Sequence, residues 1–141
     1  MRNLRFAFLG FALVLTGCAG QRAFHQEVQK VGTPTAYAKG LLQEHNVIGG
    51  QIVLLRADPA VSEASKTALI KGYRKSVCSA EELDRLVETA DCAKGPAYTL
   101  DRAIAAYEAL TSAQSEAEMQ QAADELALLV ADLLTAIANA R

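Results

Sequence analysis

From Glu116 to Asn139 the apolar residues Leu126, Leu129, Val130, Leu133, Leu134 and Ile137 recur every three or four positions, the period of a helix with one apolar face. A helix of that kind is not stable alone in water and must lay its stripe against another element. Residues 101–141 include thirteen alanines, which allow a neighbouring helix to approach towards the ~8 Å end of the usual interaxial range. Asp124, Glu125 and Asp132 interrupt the stripe. Each would cost ~2.5 kcal/mol or more at the centre of a bilayer, so this segment does not read as a membrane span. Ser115-Glu116-Ala117-Glu118 has the form of a capping box and places the helix start at 116.

The preceding chain repeats the pattern between breakers. Thr33-Pro34 offers a hydroxyl N-cap followed by a proline in the first turn. Tyr37, Leu41, His45, Ile48, Ile52 and Leu55 then follow at helical spacing, predicting a helix over 34–57. Gly49-Gly50 weakens it by ~1 kcal/mol per glycine relative to Ala. The competing reading ends the helix near Asn46 and makes Gln51 to Leu55 a short strand, for which no pairing strand is visible. Asp58-Pro59 repeats the cap-plus-proline signal and predicts a second helix over 59–77 carrying Val61, Ala64, Ala68, Leu69, Gly72, Tyr73 and Val77. Ser79-Ala80-Glu81-Glu82 opens a shorter amphipathic piece with Leu83, Leu86 and Val87. After the breaker Lys94-Gly95-Pro96, a third helix over 98–112 carries Leu100, Ala103, Ile104, Tyr107 and Leu110. The expected fold is all-α: a small antiparallel bundle of about four helices, occupying residues 34–141.

The N-terminus reads as an address. Met1, Arg2 and Arg5 form a basic start, and the apolar run from Phe6 to Leu15 spans roughly 15 Å as a helix, half of a ~30 Å hydrocarbon core. Such a run followed by small residues has the form of a cleaved secretory signal. Leu15-Thr16-Gly17-Cys18 resembles the lipobox of bacterial lipoprotein precursors. The resemblance implies diacylglycerol on the Cys18 sulfur, cleavage after Gly17, and acylation of the new amine. Three acyl chains at ~0.8 kcal/mol per buried CH₂ would anchor the mature chain to a membrane without a spanning helix. Position 19 is Ala, where enterobacterial lipoproteins kept in the inner membrane tend to carry Asp. The resemblance therefore implies the periplasmic face of the outer membrane. Residues 1–17 are then leader, and residues 18–33 are the lipidated cysteine and a flexible tether of about 20 Å end-to-end reach. Loss of Arg2 and Arg5 takes the formal charge from −2 to −4.

With Cys18 assigned to lipid, Cys78 and Cys92 remain, an even pair in a disulfide-permissive compartment. Uninterrupted helix would hold them ~21 Å apart, whereas a bridge needs Cα atoms within ~7 Å. A disulfide therefore requires the chain to fold back between the second and third helices. Two free thiols, or a bridge to another chain, are the alternatives. The spacing is not C-x-x-C, so a redox site is not indicated.

Little else in the chain suggests chemistry. Fourteen Lys and Arg against sixteen Asp and Glu in 141 residues lack the positive excess that nucleic acid demands. His25 and His45 are the two imidazoles, the first in the tether. Glu44-His45 has no second histidine at zincin spacing. His45 reads as a partly exposed residue at the edge of the core. No phosphate loop, nucleophile elbow, cofactor motif or metal set is recognisable, and the expectation is a protein that is not an enzyme.

Two charged regions stand out. Lys66, Lys71, Arg74 and Lys75 bring four cations into ten residues, with Lys71, Arg74 and Lys75 on one helical face. They suit anionic head groups or an acidic partner, against the plain alternative of a solvated face. Residues 101–141 carry a net −5. The body, in Thr33-Pro34 with its Tyr37-containing helix and in Ala103 to Leu110 before the capping box, is faintly similar to small helical lipoproteins of phage and prophage genomes. The leading expectation is an outer-membrane-anchored periplasmic lipoprotein that binds an envelope protein without catalysis, as a pilotin-like chaperone or a phage-derived exclusion factor. The alternative is a structural lipoprotein that self-associates through the 116–139 helix.

Overall fold

The computed structural model describes residues 33–85 and 87–141. The expected leader (1–17), Cys18, the part of the expected tether up to residue 32, and Leu86 lie outside the described residues. Five α-helices follow one another: α1 (Pro34–Ala57), α2 (Glu63–Val77), α3 (Ala80–Asp84), α4 (Pro96–Ala109) and α5 (Ala113–Ala140). A single 3₁₀ turn, Thr89–Asp91, lies between α3 and α4. Among the described residues there is no strand, and none of these helices is long and apolar enough to cross a membrane. The fold is a small all-α bundle, with one compact unit formed by Ala38–Arg141.

Helix α1 runs through Gly49-Gly50 as helix, so Gln51 to Leu55 is not a strand. Thr33 starts it: its Oγ1 accepts from Ala36 N at 3.1 Å. Ala38, Leu41, His45, Ile48, Ile52 and Leu55 are buried, the alternation of three and four that one helix face requires. Gly49 lies under Tyr73, where a Cβ would come within 3.0 Å of the phenol oxygen. The glycine that weakens the helix locally thus lets the Tyr73 ring come close.

Four predicted boundaries move, the first being the start of α4, where Pro96 fills the first helical position instead of acting as a breaker before 98. Asp58-Pro59 does not start α2. Asp58 Oδ1 accepts from Ala60 N at 2.8 Å and Asp58 O from Val61 N, which closes a turn of the Asx kind. Ser62 takes the capping role instead, accepting from Ser65 N at 3.1 Å, and α2 begins at Glu63. Ala64 and Ala68 accordingly face solvent, and the buried positions of α2 are Leu69 and Ser76. Helix α4 ends at Ala109, leaving Leu110 70% exposed at its C-cap rather than in the core. Helix α5 begins three residues early, because Ser112 is the N-cap and Ser115 fills the third position of the box.

Packing centres on α5, against which α4 lies as a hairpin after a three-residue link and against which α2 also packs. Leu69, Leu100, Met119, Leu126 and Leu133 are almost wholly enclosed. Truncating any of these to Ala in a close-packed interior costs about 2–5 kcal/mol. Met119, Ala122 and Ala123 extend the buried stripe of α5 beyond the Leu/Ile/Val residues, while Leu128 and Leu134 project outward at 71% and 43% exposure.

Candidate functional site

The segment between α2 and α4 is a clasp. Cys78 and Cys92 are joined as a disulfide with Cα atoms 4.9 Å apart, closing a loop with a sequence separation of 14. Inside it, Ser79 caps α3 through its side chain and Glu82 returns the bond, its Oε2 accepting from Ser79 N at 2.8 Å. The other carboxylate oxygen, Oε1, accepts from Ala93 N at 3.0 Å. One side chain therefore holds both ends of the loop, next to the two cysteines. The amides of Ala93 and Ser79 hold its carboxyl below the usual range by favouring the ionised form. Gly95 completes the clasp, since a Cβ there would sit 2.2 Å from the Val77 carbonyl carbon. No other residue could bring the two backbones this close.

Arg74, expected to join an anion-facing patch, pins this clasp. Its Nη2 donates to Val87 O at 2.8 Å and its Nη1 to Thr89 Oγ1 at 3.3 Å. Lys66 pairs with Glu63 Oε1 at 3.0 Å. Lys71 and Lys75 are exposed and flank a groove of about 360 Å³ between α2 and α3. Ile70 and Leu83 supply its apolar floor and the exposed Thr67 also lines it, with Lys71, Arg74 and Lys75 as its cationic members and no acid among its lining residues. The α2 residues of the groove fall at i, i+3, i+4, i+7 and i+8, which places them on one helical face. The sequence marks the charges of this face; the apolar floor beneath them depends on the return of α3, which spacing alone does not reveal.

His45 is not at the edge of the core: it is buried at 2% exposure. Its ring stacks on Tyr73, with centroids 5.3 Å apart, and its Nε2 lies 2.7 Å from Ser76 Oγ. Ser76 donates its single hydroxyl proton to Tyr73 O at 2.6 Å, so Oγ can only accept from the imidazole, and Nε2 carries the hydrogen. Burial disfavours the charged ring and lowers its pKa from 6.5. A cavity of about 300 Å³ adjoins this ring, lined also by residues of α2, α4 and Cys92.

Among the described residues, the one group of side chains close enough to share a metal ion is Cys78, Glu82 and Cys92. Both thiols are spent in the disulfide and the carboxylate is held by amides, so the group does not fit a metal ion. A comparison with protein-family models, with curated proteins and with solved structures finds no match to this chain.

Proposed function

We propose that the protein is an outer-membrane-anchored, periplasmic helical lipoprotein that binds another envelope protein without catalysis, taking an acidic amphipathic segment into the groove between α2 and α3. The anchor rests on the lipobox Leu15-Thr16-Gly17-Cys18. The observation that carries the binding reading is the groove itself: an apolar floor of Ile70 and Leu83 beside the exposed cations Lys71 and Lys75, with no acidic side chain lining it. Helix-in-groove recognition uses this division, with apolar anchors providing affinity and the charges orienting the incoming helix. The reading corresponds to pilotin-like capture of one segment of an outer-membrane assembly, with an apolar anchor side chain of that segment entering the groove.

The experiment has two arms. Cys18→Ala should abolish labelled-palmitate incorporation and release the protein from the membrane fraction. A photoreactive residue at the exposed position Thr67, on the groove, should yield one dominant adduct with an envelope protein in cells. Unchanged labelling and fractionation would overturn the anchor. Adducts with lipid alone, with a second copy of this chain alone, or none at all would overturn the partner.

A further inference from the structure

We infer that the cavity beside His45 is a second, separate binding site, which takes a compact organic cation: an ammonium or guanidinium group on a short apolar stem, accepted by His45 Nδ1 and neutralised by Asp101. The ring lines this cavity and spends its one N–H on Ser76. The remaining ring nitrogen, Nδ1, therefore carries a lone pair and can accept from a donor. Asp101, exposed on α4, places a carboxylate on the same cavity, and Asn46 on α1 adds an amide. Tyr73 and Tyr98 contribute aromatic surface. The Tyr98 ring already attracts one guanidinium, that of Arg102, at 5.8 Å from its centroid.

No lysine or arginine lines the cavity. Acceptors, an anionic carboxylate and aromatic surface, with no lysine or arginine among the lining residues, form the complement of a hydrogen-bond-donating cation, and the carboxylate repels an anion. A volume of about 300 Å³ stands at the lower end of small-molecule sites. It admits a benzylamine-sized molecule or the end of a lysine or arginine side chain. The inference does not rest on the groove between α2 and α3, since the two sites share no lining residue.

The test is NMR titration of the full-length protein in non-ionic detergent, following the assigned His45 imidazole and Tyr98 ring resonances. Benzylammonium chloride represents a free amine, and N-acetyl-lysine N-methylamide represents a partner's side chain. Benzyl alcohol and benzoate are the neutral and anionic controls. Saturable shifts are expected for at least one cation, about tenfold weaker binding for the alcohol, and none for benzoate. The tighter of the two cations identifies the source. Asp101→Asn, at an exposed position and with an unchanged thermal transition, should weaken cation binding at least fivefold. Equal binding of benzyl alcohol, no saturable shift with either cation, or undiminished affinity in Asp101→Asn would overturn the site.

Discussion

His45 and Ser76, 31 residues apart in sequence, are joined by a 2.7 Å hydrogen bond inside the protein, with the imidazole as donor. Because burial lowers the pKa of this histidine from 6.5, the unfolded chain takes up a proton at a pH where the folded one does not. Stability from the neutral ring is thus complete above about pH 6.5 and falls as pH drops towards the folded value. Urea unfolding between pH 7.5 and 5 should show a falling midpoint. In His45→Gln, whose amide can still donate to Ser76, the fall over this range should shrink. An identical pH profile in the variant would show that the ring does not report its burial.

At lower pH a second group adds to the effect with the same sign. The Glu82 carboxyl, held below its usual 4.5 by the amides of Ala93 and Ser79, contributes stability that is present above pH 4.5 and lost as pH falls through its folded value. Glu82→Gln should remove that acid limb and raise the hydrogen-exchange rate of the Ala93 amide at neutral pH. Unchanged exchange at Ala93 would contradict the clasp.

The covalent part of the clasp is larger. A disulfide closing a loop of this length stabilises by about 3 kcal/mol through its constraint on the unfolded chain. Cys78→Ser with Cys92→Ser should therefore unfold at clearly lower denaturant than the oxidised wild type, by roughly that free energy. Reducing agent should bring the wild type down to the variant. Equal midpoints would mean that the loop is already held by Glu82 and Arg74 alone.

Two glycines should respond in opposite directions. Gly50 in α1 has open space around a would-be Cβ, so Gly50→Ala should stabilise by about 0.5–1 kcal/mol through helix propensity. Gly95 faces the Val77 and Cys78 backbone, which cannot move aside without opening the clasp, and Gly95→Ala should destabilise by about 1–3 kcal/mol. Thermal unfolding of both variants beside the wild type checks the pair.

The apolar stripes are legible because helix period follows directly from where side chains project. Leu41, Ile48, Ile52 and Leu55, and Leu126, Val130, Leu133 and Ile137, are buried as their spacing predicts. The starts of α2 and α5 are not, because serine and aspartate can serve either a cap or a turn. Asp58 is used in the turn, and Ser112 takes the cap that Ser115 equally suits. His45 stands at helical spacing in the first stripe, but the contact that satisfies its ring nitrogen inside the core escapes periodicity. Its partner Ser76 counts as polar in any hydropathy pattern, although it stands at i+7 from Leu69 on the buried face of α2. The disulfide was readable as a requirement that the chain turn back. Ser79-to-Glu82 as a cap and Gly95 as a breaker are legible, but what closes the clasp is distant in sequence: Glu82 with Ala93, Arg74 with Val87 and Thr89, and Gly95 against Val77.

The groove is tested most directly by reversing its charge in cells. With the photoreactive residue at Thr67, the wild type should give one envelope-protein adduct, and Lys71→Glu with Lys75→Glu should lose most of it, while the protein remains folded and membrane-bound. An adduct of undiminished yield in the charge-reversed protein would contradict an acidic segment in this groove.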